Sequence, residues 1–175
     1  MSQREIRLLL ISALKLEANS VVWDIGAGTG TIPVEIGLIC PQGKIIAIER
    51  DDEVANLIQL NCDRFEVSNV QIVIGSAPQC LKQIETQPQR VCIEGGTAIE
   101  SILQQVWEYL PLTGRVVVTA ASLETLYKVS ESFTRLQARN VEVVQAAVNR
   151  LETRGNSRRL VAVDPMFILS AEKLD

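Results

Sequence analysis

Short β-branched runs alternate with helical stretches along the whole chain. Ile6, Leu9, Leu10, Ala13 and Leu14 recur at helical spacing and predict a helix over 2–16, with Ser2 and Glu5 at the spacing of a capping box. Val21-Val22-Trp23-Asp24-Ile25 is a compact apolar run closed by glycines, which reads as a buried strand. A helix over 31–40, a strand over 44–49 and a helix over 51–65 follow; Pro33 is tolerable only in a first helical turn. The pattern then predicts strands over 70–75, 90–94 and 115–120. They are separated by a short helix over 78–84 and a longer one over 99–110 that Pro111 ends. A long helix over 123–139 precedes two further strands, 141–148 and 166–171, joined by an arginine-rich loop.

Strands that alternate with helices mean βαβ units and a mostly parallel sheet, and right-handed crossovers put helices on both faces. The last two strands have no helix between them, so the final strand is expected to run antiparallel. The expectation is a single α/β domain over 1–175, Rossmann-like, with seven strands.

Composition narrows the chemistry. The chain has 175 residues, with 17 Lys+Arg, 21 Asp+Glu and no histidine. A Ser-His-Asp or Cys-His nucleophile, a His-ligated zinc and an imidazole proton shuttle are therefore excluded. The net charge of −4 and the few aromatic residues speak against a nucleic-acid face. No apolar run is long enough to suggest a membrane span, and the periodic, charge-bearing start does not read as a signal peptide. Cys40, Cys62, Cys80 and Cys92 form no CxxC pair and read as buried thiols of a cytoplasmic protein.

The strongest motif is Asp24-Ile25-Gly26-Ala27-Gly28-Thr29-Gly30, in which a strand ends, three glycines follow at alternate positions, and a helix begins. A dinucleotide fingerprint would put its third glycine at Thr31, three residues after Gly28. Here it comes one residue earlier. Glu49 closes the second strand 19 residues after Gly30, where a carboxylate can accept from both hydroxyls of a ribose. That acid identifies a nucleoside without choosing the cofactor. Another nucleotide, or a tight βα turn with no ligand, stays open on these residues alone.

The D-x-G-x-G-x-G loop resembles motif I of the class I S-adenosylmethionine (SAM) methyltransferases. The whole chain resembles the precorrin C(15)-methyltransferase (decarboxylating) family of cobalamin biosynthesis. The resemblance runs through Ser2-Gln3-Arg4-Glu5-Ile6-Arg7, Val22 to Gly30, Glu94-Gly95-Gly96, Val116 to Ala120 with Leu123-Glu124-Thr125, Val148-Asn149-Arg150 and Asp164-Pro165. The chain departs from the family in having Ser76 where an acid usually stands, an extra acid at Glu94, fewer glycines over 95–98, and no short Pro/Gly segment ahead of the first helix.

The resemblance implies a class I methyltransferase fold with SAM as methyl donor. The cofactor-binding residues it implies are Ser2, Asp24, Gly26, Ala27, Gly28, Thr29, Gly30, Glu49, Arg50, Ser76, Ala77 and Gly95, with Asp24 suiting the methionine ammonium. The substrate would be a reduced tetrapyrrole rich in carboxylates, methylated on carbon 15 while an acetate side chain loses its carboxyl as carbon dioxide. Arg150, with Arg154, Arg158 and Arg159, could hold those carboxylates, and Glu94 could handle a proton at the mouth of the site. No metal ligand set is expected, so any cobalt would arrive inside the substrate. The family further implies a homo-oligomer, a tetramer, and a separate partner that methylates carbon 5. Two alternatives remain: a class I methyltransferase acting on tRNA, and a non-catalytic SAM-binding subunit.

Overall fold

Hydrophobic period translates directly into architecture. The computed structural model describes residues 4–174. Helix α1 (Arg4–Ala13) leads into β1 (Val21–Ile25), α2 (Thr31–Ile39), β2 (Lys44–Glu49), α3 (Asp52–Arg64) and β3 (Val70–Ile74). A single 3-10 segment (Gln79–Gln83) precedes β4 (Arg90–Glu94), α4 (Ile99–Tyr109), β5 (Arg115–Ala120) and α5 (Leu123–Arg135). The chain continues through β6 (Arg139–Ala146), β7 (Asn149–Arg154), β8 (Ser157–Ala162) and β9 (Met166–Glu172).

Seven strands make one sheet in the order β3-β2-β1-β4-β5-β9-β6. Strands β1 to β5 pair in parallel, and β9 runs antiparallel to both β5 and β6. This is the expected mostly parallel α/β sheet with an antiparallel last strand. The chain order reverses between β1 and β4, so a crevice opens beyond their carboxyl ends, the usual ligand position in such sheets.

The parallel strands are apolar on both faces because helices cover both. Trp23, Ile25, Val91 and Val116 pack with Leu103 and Val106 of α4 and Phe133 of α5. On the opposite face Val22, Ile45 and Val117 pack with Ile6 and Leu10 of α1 and Ile36 of α2. The period-2 alternation of β1 puts Asp24 on this second face, beside Cys92 of β4 in the parallel register. Arg115, 1% exposed at the start of β5, is a charged exception in the core. Its guanidinium donates to Glu172 at 2.6 Å, to Ser170 Oγ at 2.7 Å and to the Ala13 carbonyl, so it anchors the end of α1 to β9.

Three expectations need correction. Helix α1 stops at Ala13 rather than at 16, because Lys15 turns into the left-handed region at φ 50°. Helix α5 stops at Arg135 rather than at 139. There Gln137 takes φ 54°, its N–H donates to Thr134 O, and Ala138 N–H donates to Phe133 O, the bonds of a Schellman cap. The arginine-rich stretch is not a loop. It is the β7–β8 hairpin, in which Arg154 pairs with Ser157 around Gly155-Asn156, and Gly155 at φ 59° supplies the left-handed turn.

Candidate active site

Four strand ends converge on the crevice, and the glycine loop follows the first of them. Gly26, Gly28 and Gly30 all have positive φ, at 85°, 54° and 83°. Two of them are required by the protein's own packing. A Cβ at Gly30 would lie 2.8 Å from Ile58 Cγ2 of α3, and one at Gly26 would lie 3.1 Å from the Glu94 carbonyl oxygen. The loop is thus wedged between α3 and the end of β4.

Glu49 fastens the loop from the side. Its Oε2 accepts from Gly28 N–H at 2.9 Å, while Oε1 accepts from Arg50 N–H at 2.9 Å and Asp51 N–H at 3.1 Å. Asp51 in turn caps α3 by accepting from the N–H groups of Glu53 and Val54.

A cavity of about 550 Å³ lies over this arrangement. Its walls come from Ile25 and Gly26 after β1, Ile48, Glu49 and Arg50 at β2, Gly75, Ser76 and Ala77 after β3, and residues 94–98 after β4, with Ile102 of α4. The size suits a nucleoside with a side chain. Among the described residues, Arg50 is the one cation lining the cavity, against the carboxylates of Glu49 and Glu94.

Behind the wall sits Asp24, 0% exposed. Its Oδ1 accepts from the Cys92 thiol at 3.1 Å, and its Oδ2 has no hydrogen-bond partner. Burial above all, then the charges of Glu94 and Glu49, push Asp24 up to about 8, while the Cys92 hydrogen bond pulls the other way. Burial and the adjacent acid hold the Cys92 thiol well above its ordinary value, so it is an inert, protonated donor.

The structure therefore divides the sequence-derived residues. Gly26, Glu49, Arg50, Ser76, Ala77, Gly95 and Glu94 line the cavity. Asp24, Ala27, Gly28, Thr29 and Gly30 do not line it: Asp24 and Ala27 are buried, Thr29 O accepts from Asn61 on α3, and Gly30 packs on Ile58. Ser2 lies outside the described residues. Ile25, Ile48 and Ile102 form apolar walls that motif reading passed over. The first two adjoin motif residues, whereas Ile102 enters from α4, which only the packing reveals.

Arg150 is not at the cavity wall. It stands on β7 and donates to Glu5 of α1 at 2.7 Å. By strand alternation Arg150, Glu152 and Arg154 share one face with Arg159, which is opposite Glu152, whereas Arg158 faces the other way with Leu151 and Leu160. The four arginines are thus split between two faces, with an acid among three of them.

A model of the precorrin methyltransferase domain matches residues 1–173. The chain belongs to this family. Among precorrin methyltransferase relatives, it is 31% identical to the probable cobalt-precorrin-6B C(15)-methyltransferase (decarboxylating) of Saccharolobus solfataricus, covering 99% of this chain and 88% of that one. The cobalt-precorrin-6B C(15)-methyltransferase (decarboxylating) of Salmonella typhimurium is 27% identical, with coverage of 99% and 89%. Among solved structures, the precorrin-6y C5,15-methyltransferase of Geobacter metallireducens superposes with a TM-score of 0.91 at 31% identity, covering 99% of this chain and 91% of that one. SAM-dependent enzymes of other specificity share the fold at lower identity, among them a Thermotoga maritima O-methyltransferase with a TM-score of 0.81 at 16%, covering 100% of this chain and 67% of that one. The architecture is that of the class I methyltransferases. Of the glycine loop, Gly26 reaches the crevice, where Glu49 and Glu94 also stand.

Proposed function

We propose that this chain is a SAM-dependent methyltransferase that methylates carbon 15 of a precorrin or cobalt-precorrin and removes the neighbouring acetate carboxyl as carbon dioxide. Its relatives bear that activity in their names. The observation that carries the cofactor reading is the charge of the crevice. Glu49 and Glu94 line it. Such a site repels the phosphates of a dinucleotide and attracts a ligand with a sulfonium and an ammonium.

SAM supplies an electrophilic methyl group when bound. Glu49 accepts from the ribose hydroxyls while keeping the loop in place through Gly28. Ser76 and Ala77 border the adenine, and Ile48 and Ile102 exclude water from its faces. Gly26 lets the chain approach closely at the methionine end. Glu94, at the rim of the cavity, is placed to exchange a proton with the macrocycle as carbon dioxide departs. The electron pair of the broken C–C bond stays in the conjugated ring, so histidine is not required. Arg150 is the anchor for a substrate carboxylate, which takes the position that the Glu5 carboxylate now holds.

The same reading covers assembly. Leu151 and Leu160 face each other across the hairpin at 64% and 70% exposure, and Val141, Val143 and Val144 are exposed on the edge strand β6. Such apolar surface suits self-association into the tetramer that the resemblance implies, with carbon-5 methylation left to a separate protein.

The test is incubation with labelled SAM and a reduced precorrin intermediate, scored by mass. The expected product has gained one methyl and lost one carbon dioxide, with the label on carbon 15 alone. Methyl gain on tRNA, or none on any tetrapyrrole, would overturn the reading.

A further inference from the structure

Among the described residues, the four large apolar side chains most open to solvent are Leu160, Leu123, Tyr127 and Leu151, with Leu123 at 68% and Tyr127 at 66% exposure. One exposed apolar residue needs no explanation, but four gathered at one end of a sheet do. The hairpin leucines serve self-association in the reading above. The pair on α5 is left. Leu123 and Tyr127 stand four residues apart, so they share one side of the helix, and helical side chains lean toward the N-terminus, which brings Tyr127 up to Leu123. The turn that carries them is pinned, because Ser122 Oγ accepts from Thr125 N–H at 3.2 Å. It follows the carboxyl end of β5, where Thr119 stands beside Glu94 in the parallel register.

The direction of this pair can be read from its own helix. Arg135 Nη2 donates to Glu100 of α4 at 2.7 Å and to Ser132 Oγ at 3.5 Å, so Ser132 is on the α4 side. Leu123 lies about two and a half turns away from Ser132, hence on the opposite side, toward β9 and the hairpin. The hairpin turns a face the same way. Val163 N–H donates to the Val148 carbonyl, so β7 and β8 continue the β6–β9 ladder beyond Ala146 and Met166. Arg150 meets Glu5 of α1 on one side of the sheet. Alternation then places Leu151, Leu160 and Arg158 on the other side, the one that α5 covers. Phe167, the partner of Ala120 in the β5–β9 register, packs into the core on this side between the two elements.

We propose that Leu123 and Tyr127 form the shelf that takes one face of the tetrapyrrole ring, with the carboxylated rim of the ring turned to Arg158. This rests on the precorrin reading above and deepens it by assigning the apolar contact of the substrate. The occupant follows from position and charge. With SAM in the cavity, a methyl acceptor meets it at the Glu94 rim from the side the cofactor leaves open, and that side is bordered by the end of β5 and the first turn of α5. Apolar surface with a guanidinium beyond it suits a flat, conjugated ring fringed with carboxylates. Arg150, on the opposite side of the hairpin, cannot supply this contact, so the two anchors act on different parts of the macrocycle. The shelf also selects, because an acceptor too small to leave the cavity mouth gains nothing from it.

The test is steady-state kinetics of the full chain with SAM and the reduced precorrin intermediate. Leu123→Ser and Tyr127→Ser should each raise KM for the precorrin about tenfold, the loss of one apolar contact, while kcat and SAM affinity stay within about twofold. Leu123→Met and Tyr127→Phe keep the apolar area and should hold KM within about twofold of the wild type. That rescue, and a fault confined to KM for one substrate, are not what a merely structural role gives. An unchanged KM in either serine variant overturns the proposal. A raised KM that accompanies dissociation of the oligomer in size-exclusion chromatography also overturns it, because the surface then belongs to a second copy. Wild-type protein that methylates no tetrapyrrole would instead overturn the precorrin reading, and this inference with it.

Discussion

The Glu49 carboxylate accepts from Gly28 N–H at 2.9 Å, so a single side chain ties the end of β2 to the glycine loop. In the role proposed above, Glu49 supports SAM twice, by touching it and by holding the loop beside it. Glu49→Ala should weaken SAM binding about 10–100-fold, since a hydrogen bond to a charged group is worth roughly 1.5–3 kcal/mol. Glu49→Gln, which keeps an acceptor for Gly28, should lose less. An unchanged dissociation constant for Glu49→Ala by calorimetry would remove this residue from the site.

Gly30 and Gly95 make a matched pair for testing what the loop requires. Both have positive φ, but a Cβ at Gly30 would strike Ile58, whereas at Gly95 it would meet nothing within 4 Å. Gly95→Ala should cost about 1–2 kcal/mol, the price of the left-handed conformation alone. Gly30→Ala adds an overpacking cost of about 1–3 kcal/mol and should be the worse by that amount. Urea denaturation measures both. Equal losses would show that the loop's contact with α3 is not what demands glycine at 30.

Arg150→Ala should impair tetrapyrrole turnover, mainly through KM, while SAM affinity stays within about twofold, because Arg150 lies off the cavity wall. Its ion pair with Glu5 is solvent-exposed and screened, so stability should be nearly unchanged. A large fall in SAM affinity would contradict this division of roles.

Acid should loosen the sheet at Glu172. The hydrogen bond from Asn140 holds this carboxyl down at about 2, aided by Lys15 and Arg115. A depressed folded value means stability that is complete above the ordinary carboxylate range and is lost as pH falls from about 4.5 toward 2. Glu172→Gln should remove that pH dependence and lower stability at pH 7 by about 1.5–3 kcal/mol, because Arg115 loses a charged partner. A parallel acid profile in the variant would place the sensitivity elsewhere.

The sheet and the crevice were legible because their signals are local. A strand buried on both faces has to read as an unbroken apolar run, and Asp24 to Gly30 and Glu49 announce themselves by spacing. What escaped depends on contacts distant in sequence or on unusual local chemistry. Helix α5 ends in a Schellman cap built on Gln137, not on the glycine that normally marks one. Gly155-Asn156 is a hairpin turn signal, but the flanking strands are exposed on both faces, so no apolar alternation marks them. The motif position of Asp24 suggests a ligand contact; its full burial beside Cys92 of β4, 68 residues later, is a long-range feature that spacing does not show.

Strand β9 lies between β5 and β6 in the sheet, although residues 166–172 follow both in the chain. During synthesis the first 94 residues can assemble β1 to β4, and the crevice is complete once residues 95–98 and Ile102 of α4 follow. Strand β6 has no neighbour to dock on until β9 has left the ribosome. Until then its exposed valines have no sheet partner, which makes this edge the point at which a growing chain is most open to chaperones or mispairing. Assembly of the half of the molecule that carries the β7–β8 hairpin thus waits for a segment translated after it.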